Sequence, residues 1–78
     1  MKLYVGNLDY QISNDGLEQL FAQTGTIESA RVVTIIAGNR SFGLVEMSSR
    51  EEGAAAIPKF NVWEISGRRI IVYEKNRL

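Results

Sequence analysis

Arg40-Ser41-Phe42-Gly43-Leu44-Val45-Glu46-Met47 alternates in character from one residue to the next. In an extended strand, Arg40, Phe42, Leu44 and Glu46 point to one side and Ser41, Gly43, Val45 and Met47 to the other. The second set is uncharged and has small members, which suits a face pressed against helices. The first set begins and ends with a charge, so it faces water and leaves Phe42 as an exposed aromatic in the middle of a sheet.

Upstream of it, Lys2 to Gly6 reads as a short strand with Leu3 and Val5 on one face and Lys2 and Tyr4 on the other. Asn7-Leu8-Asp9 is expected to leave the strand, because Asn and Asp favour turns. Ser13 is a helix N-cap candidate with Asp15 in the first turn. Leu17, Leu20, Phe21 and Thr24 recur at helical spacing, which outweighs the hairpin signal of Asp15-Gly16, and Gly25 is the expected terminator. Residues 27–34 form a second strand, with Ala30 and Val32 toward the core and Arg31 and Val33 away from it. Gly38-Asn39 marks a hairpin turn into the third strand.

Downstream, Ser48 or Ser49 starts a second helix, each followed three positions on by a Glu (Glu51 or Glu52), the pattern of a capping box. Pro58 ends that helix or sits in its last turn. Residues 59–67 read as a loop or small hairpin closed by Ser66-Gly67. Residues 69–75 are the last strand, Ile70 and Val72 on one side, Ile71, Tyr73 and Lys75 on the other. The order is strand, helix, strand, strand, helix, strand. With right-handed crossovers this is an α+β, ferredoxin-like βαββαβ two-layer sandwich: a four-stranded antiparallel sheet with both helices on one face. Tyr4, Val33, Phe42, Leu44, Ile71 and Tyr73 fall on the open face.

Composition sets the frame. Seventy-eight residues, 45% of them apolar, form one domain, and a chain of this size buries only about 60% of its unfolded surface. With no Cys and no His, disulfides, thiolate metal sites and the usual nucleophile–base pairs are absent. No paired carboxylates stand out, and the glycines at 38 and 43 lack the Lys-Ser/Thr that a phosphate-cradling loop requires. The chain therefore reads as a non-enzyme without cofactor or metal. No apolar run approaches the ~20 residues of a membrane span. Without a secretory pattern, a cytoplasmic, reducing compartment is expected, an organelle or the nucleus being left open. Net charge is zero, unlike that of a generic polyanion binder. It is uneven, however: residues 1–30 set Lys2 against Asp9, Asp15, Glu18 and Glu28, whereas residues 68–78 set Arg68, Arg69, Lys75 and Arg77 against Glu74.

Two stretches now resemble a known family. Leu3-Tyr4-Val5-Gly6-Asn7-Leu8 is similar to the shorter signature of the RNA recognition motif, and residues 40–47 to its eight-residue signature, [KR]-G-[FY]-[GA]-[FY]-V-x-[FY]. Their order and spacing, the helix signals and Ser66-Gly67-Arg68 also fit, and the overall look is that of short single-motif bacterial or organellar RNA-binding proteins. The resemblance implies a sheet face that binds a few nucleotides of single-stranded RNA, or single-stranded DNA, with bases stacked on the aromatics. It makes Tyr4 a base platform, Phe42 a contact for sugar and base, and Arg40 a phosphate partner. Leu44 and Arg31 lie on the same face, and Tyr73, Lys75 and Asn76 are readers of sequence.

The departures from the family are Leu44 where a stacking aromatic is usual, Ser41 in place of Gly, Met47 in place of an aromatic, and a short uncharged loop at residues 35–39. They imply weak binding of low specificity, near or above about 1 μM, or −8.2 kcal/mol. The rival reading is a protein-interaction or homodimerisation module that uses Val33, Leu44, Ile71 and Tyr73 as an apolar patch. Trp63 reads as structural packing, and Arg68-Arg69 as solvated.

Overall fold

A computed structural model of the chain describes residues 1–9, 11–35, 40–65 and 67–75, with the side chains of Ile35 and Arg40 outside the description. Strand β1 (Lys2–Leu8) is followed by helix α1 (Asn14–Phe21), a 3-10 turn (Ala22–Thr24), β2 (Ile27–Ile35) and β3 (Arg40–Met47). Helix α2 (Arg50–Phe60), a two-strand hairpin of β4 (Glu64–Ile65) and β5 (Arg68–Arg69), and β6 (Ile71–Glu74) complete the chain. The main sheet runs β2-β3-β1-β6, every neighbouring pair antiparallel. This is the expected βαββαβ sandwich, with β4 and β5 as a small addition before the last strand. The turn expected at Gly38-Asn39 lies outside the described residues; Ile35, assigned above to that loop, pairs with Arg40 as the last residue of β2.

Alternation along the strands decides which side chains meet the helices. Leu3 and Val5 of β1, Val45 and Met47 of β3, and Val72 of β6 point inward. They bury Leu17 and Phe21 of α1, Ala56 and Phe60 of α2, and Ile70. The Phe21 and Phe60 rings meet at 4.7 Å between centroids and join the two helices above the sheet. Burying an aromatic of this kind contributes about 1.5–3 kcal/mol. Gly43 faces α1 so closely that a Cβ there would lie 2.6 Å from Cδ2 of Leu17 and 3.1 Å from Cδ1 of Leu8. The glycine is what allows the helix to settle on the sheet.

Both helix starts are capped by serine. Ser13 Oγ accepts from the Gly16 N–H at 3.0 Å and Ser49 Oγ from the Glu52 N–H at 3.1 Å. The reciprocal half of the expected capping box is redirected. The Glu52 carboxylate accepts from Ser48 Oγ at 2.7 Å and from the Thr26 N–H at 3.2 Å, which ties α2 to the entry of β2.

Three boundaries differ from expectation. β1 does not end at Gly6 but continues to Leu8, through a register shift after Val5 at which Asn7 takes φ 62. That irregularity adds a residue to the strand and turns Leu8, which simple alternation would place beside Tyr4, into the core. α2 carries Pro58 in its last turn, one of the two places expected for it, and takes in Lys59 and Phe60, read above as loop: the proline forfeits one hydrogen bond while Phe60 gains burial. The last strand is interrupted at Ile70, whose N–H donates to the Trp63 carbonyl at 3.0 Å and whose carbonyl accepts from Val62 at 2.8 Å.

Gly43→Ala is expected to overpack the α1 contact and lower stability by about 1–3 kcal/mol. A urea titration should show a lower midpoint at unchanged m-value.

Candidate nucleic-acid interface

The sheet face away from the helices carries a row of aromatics. Tyr4 on β1 lies opposite Leu44 of β3 and Tyr73 of β6. Its ring leans over Gly6, where a Cβ would sit 3.0 Å from Tyr4 Cε1. This lean brings it level with Phe42, because Val5 pairs with Gly43 and Phe42 is the next residue along β3. The three rings form an offset, near-parallel row. Phe42 and Tyr4 are 5.4 Å apart at 18°, and Tyr4 and Tyr73 are 4.9 Å apart at 23°. Tyr4 and Phe42 are half-buried, whereas Tyr73 and Ile71 are each 49% exposed. Each ring covers part of its neighbour's face, and such pairs are worth about 0.5–1.5 kcal/mol.

Position 44, where the family resemblance has a third aromatic, carries Leu44, and the third ring of the row is Tyr73 on β6, the residue that the resemblance makes a reader of sequence. The signal was available: residues 4 and 73 share parity toward the open face, but only the β1–β6 register makes them neighbours. Gly6 was likewise legible as small and on that face, but not as the floor beneath a ring.

Leu44 lies beside Arg31 of β2, and Glu46 lies opposite Lys2 and beside Ser29. These residues and Lys75 line an open depression of about 490 Å³ at the end of the face away from Phe42. Lys2, Arg31 and Lys75, widely separated in sequence, thus line the same depression as the Glu46 carboxylate. Val33 pairs with Phe42 at the other end. Arg40 pairs with Ile35 through the backbone; the role given to its side chain, and Asn76, lie outside the description.

Arg68 is not merely solvated. Its guanidinium donates to Asn7 Oδ1 at 3.2 Å, and Asn7 Nδ2 donates to the Arg69 carbonyl at 2.9 Å. Asn7 thus clips the β4–β5 hairpin to the end of β1. Trp63 stacks on Phe60 at 4.8 Å and 15°, on the helix side, in keeping with a packing role. Among the described residues no group of His, Cys, Asp or Glu could hold a metal ion, and no helix is long and apolar enough to cross a membrane.

The architecture is that of an open antiparallel sheet with aligned aromatics on the face away from the helices. The sequence pattern of the RNA recognition motif matches residues 3–71, and the chain belongs to that family. The non-enzymatic reading agrees with this membership. Among curated relatives, the chain is 44% identical over 73 residues to the chloroplastic RNA-binding protein CP31B of Arabidopsis thaliana, covering 91% of this chain and 25% of that protein. It is 38% identical over 78 residues to a 31 kDa chloroplastic ribonucleoprotein of Nicotiana sylvestris, covering 97% and 25%. The chain thus spans about a quarter of the length of these relatives. Among solved structures, it is similar to the crystal structure of RNA binding protein PG1, with 39% identity, TM-score 0.87 and coverage of 100% and 96%. Pes4 RRM3 shares the fold at TM-score 0.92 and 17% identity, covering 99% and 93%. The curated relatives are chloroplastic and give no support to a cytoplasmic location.

Asn7→Ala removes both side-chain bonds and places Ala at positive φ, which should cost about 1–2 kcal/mol. Asn7→Gly should recover the backbone part of that loss, since Gly adopts this φ freely. Denaturant titration of the two variants separates the contributions.

Proposed function

We propose that the chain binds single-stranded RNA on its open sheet face through base stacking and phosphate contacts, weakly and with little sequence preference along the stacking row. The observation that carries this is the Phe42–Tyr4–Tyr73 row, three ring systems in contact across three adjacent strands. Family membership and relatives named as RNA-binding proteins support it. Any base offers a π-face, so stacking is tolerant of sequence and worth about 1–3 kcal/mol per base. Bases that use the face of Tyr4 compete with its neighbouring rings, which keeps the net gain small. Lys2 and Lys75 meet the backbone at one end of the row. An organellar location fits the chloroplastic relatives better than the cytoplasm.

The exposure of Ile71 is what favours the rival protein-contact reading. In that case binding would depend on Leu44 and Ile71 and appear as a concentration-dependent mass.

An NMR titration with pooled short single-stranded RNAs should shift Tyr4, Phe42 and Tyr73; a silent sheet face would overturn the proposal. Tyr4→Ala and Phe42→Ala should each weaken RNA by about 1–3 kcal/mol. Lys75→Ala should flatten the dependence of log affinity on log salt by about one unit. Leu44→Phe supplies the missing ring and should tighten a short RNA by about 1 kcal/mol or more. All four are measured by fluorescence anisotropy.

A further inference from the structure

The depression around Leu44 contains a group that phosphate binding does not explain. Glu46 places a carboxylate on a face proposed for a polyanion. Lys2, directly opposite on β1, offsets its charge, so the carboxylate can stay there without expelling the ligand from the whole face. A carboxylate accepts hydrogen bonds and donates none, and its two oxygens can take a pair of adjacent donors. A phosphate over Glu46 is therefore repelled, and whatever covers this residue must present N–H groups.

Arg31 supplies the opposite chemistry. It is the cross-strand partner of Leu44, and Glu46 follows Leu44 by two residues on the same face. Arg31 and Glu46 are thus diagonal neighbours, with Cα atoms about 7–8 Å apart. Leu44, directly across from Arg31 and on the same side as Glu46, is an apolar floor beside both, and Ser29, Lys2, Lys75 and Asn14 also line the depression. A planar ligand lying on Leu44 would have one edge turned to a pure acceptor and another to a guanidinium.

We infer that this depression is a guanine-selective subsite, in which Glu46 accepts from N1–H and the N2 amino group while Arg31 donates to O6 and N7. The inference rests on the RNA-binding reading above. Guanine alone among the four bases carries two adjacent donors on one edge and two adjacent acceptors on another, and guanidinium to O6 and N7 is a favoured bidentate pair. Uracil would turn two carbonyls toward the carboxylate on either side of its single N–H. Cytosine and adenine each offer one amino group beside a ring nitrogen with a lone pair. The stacking row remains tolerant, and discrimination is confined to one position.

The test uses short RNAs in a uridine background, with a single G, A or C moved through each position, titrated by fluorescence anisotropy. The wild-type chain should favour guanine at one position by about fivefold or more. Glu46→Gln, which keeps the shape of the side chain, should lose that preference while affinity for the uridine background holds or rises. Unchanged melting of the variant confirms that the sheet is intact. Equal binding of all four bases at every position, as expected if the charges form only a solvated cluster, overturns the inference and leaves RNA binding standing. A guanine preference that survives Glu46→Gln also overturns it. Failure of the wild-type chain to bind any of the RNAs overturns the RNA-binding reading and this inference with it.

Discussion

The hydrogen-bonded placement of β1 between β3 and β6 is the constraint on which both faces of the molecule depend. On the inward side it aligns Leu3 and Val5 with Val45 and Val72, so that the helices meet a continuous apolar surface. On the outward side the same register brings Tyr4 between rings that lie 38 and 69 residues away in sequence. A slip of one residue would exchange the two sets and destroy core and ring row together. Burial of Leu3 and Val5 therefore fixes the position of the Tyr4 ring, although neither side chain touches it from the open side.

Two asparagines protect the outer edges of the sheet. Asn14 Oδ1 accepts from the Val32 N–H of β2 at 2.8 Å, and Asn61 Oδ1 from the Val72 N–H of β6 at 3.0 Å. An edge strand with free donors invites pairing with another chain. Here the first residue of α1 and the residue just after α2 occupy those donors. For β6 the consequence reaches the open face: a strand of four residues carries Tyr73, and its far edge is held by the end of α2 rather than by another strand. The ring is consequently well exposed yet backed by an anchored backbone, as the proposed stacking requires.

The fold was largely legible in the sequence because its signals are local. Alternation at 40–47, helical spacing at Leu17 and Phe21, and serines followed by acidic residues each act within a few positions. The misread features arise from distant partners. Asn7 looks like a turn residue, and it does adopt a turn-like φ, but its bonds to Arg68 and Arg69 keep the strand going. Glu52 has the spacing of a capping box, yet its carboxylate finds a better-placed donor on Thr26. The site was legible as a face but not as a row: parity put Tyr4, Phe42 and Tyr73 on one side, whereas the order of strands, and not any spacing, made Tyr73 rather than residue 44 the third ring.

Zero net charge is compatible with the RNA binding proposed for the open face because the charge is sorted in space. Much of the acidic excess of the first 30 residues lies on α1 and its approach, at Asp9, Asp15 and Glu18, off the open face, whereas Lys2, Arg31 and Lys75 converge on it. At physiological ionic strength exposed charges farther apart than about 8 Å are largely screened from one another. A phosphate at the sheet therefore responds to the cations beside it more than to the acids behind it. The same screening limits how far the protein can attract RNA from a distance, because no large basic field exists to steer it. In the binding mode proposed above, short-range stacking makes the first contact and the cations act once the strand is down. In the proposed mode this order gives fast release and affinity built from a few contacts, and the role inferred for Glu46 depends on it, since no large excess of positive charge masks that carboxylate.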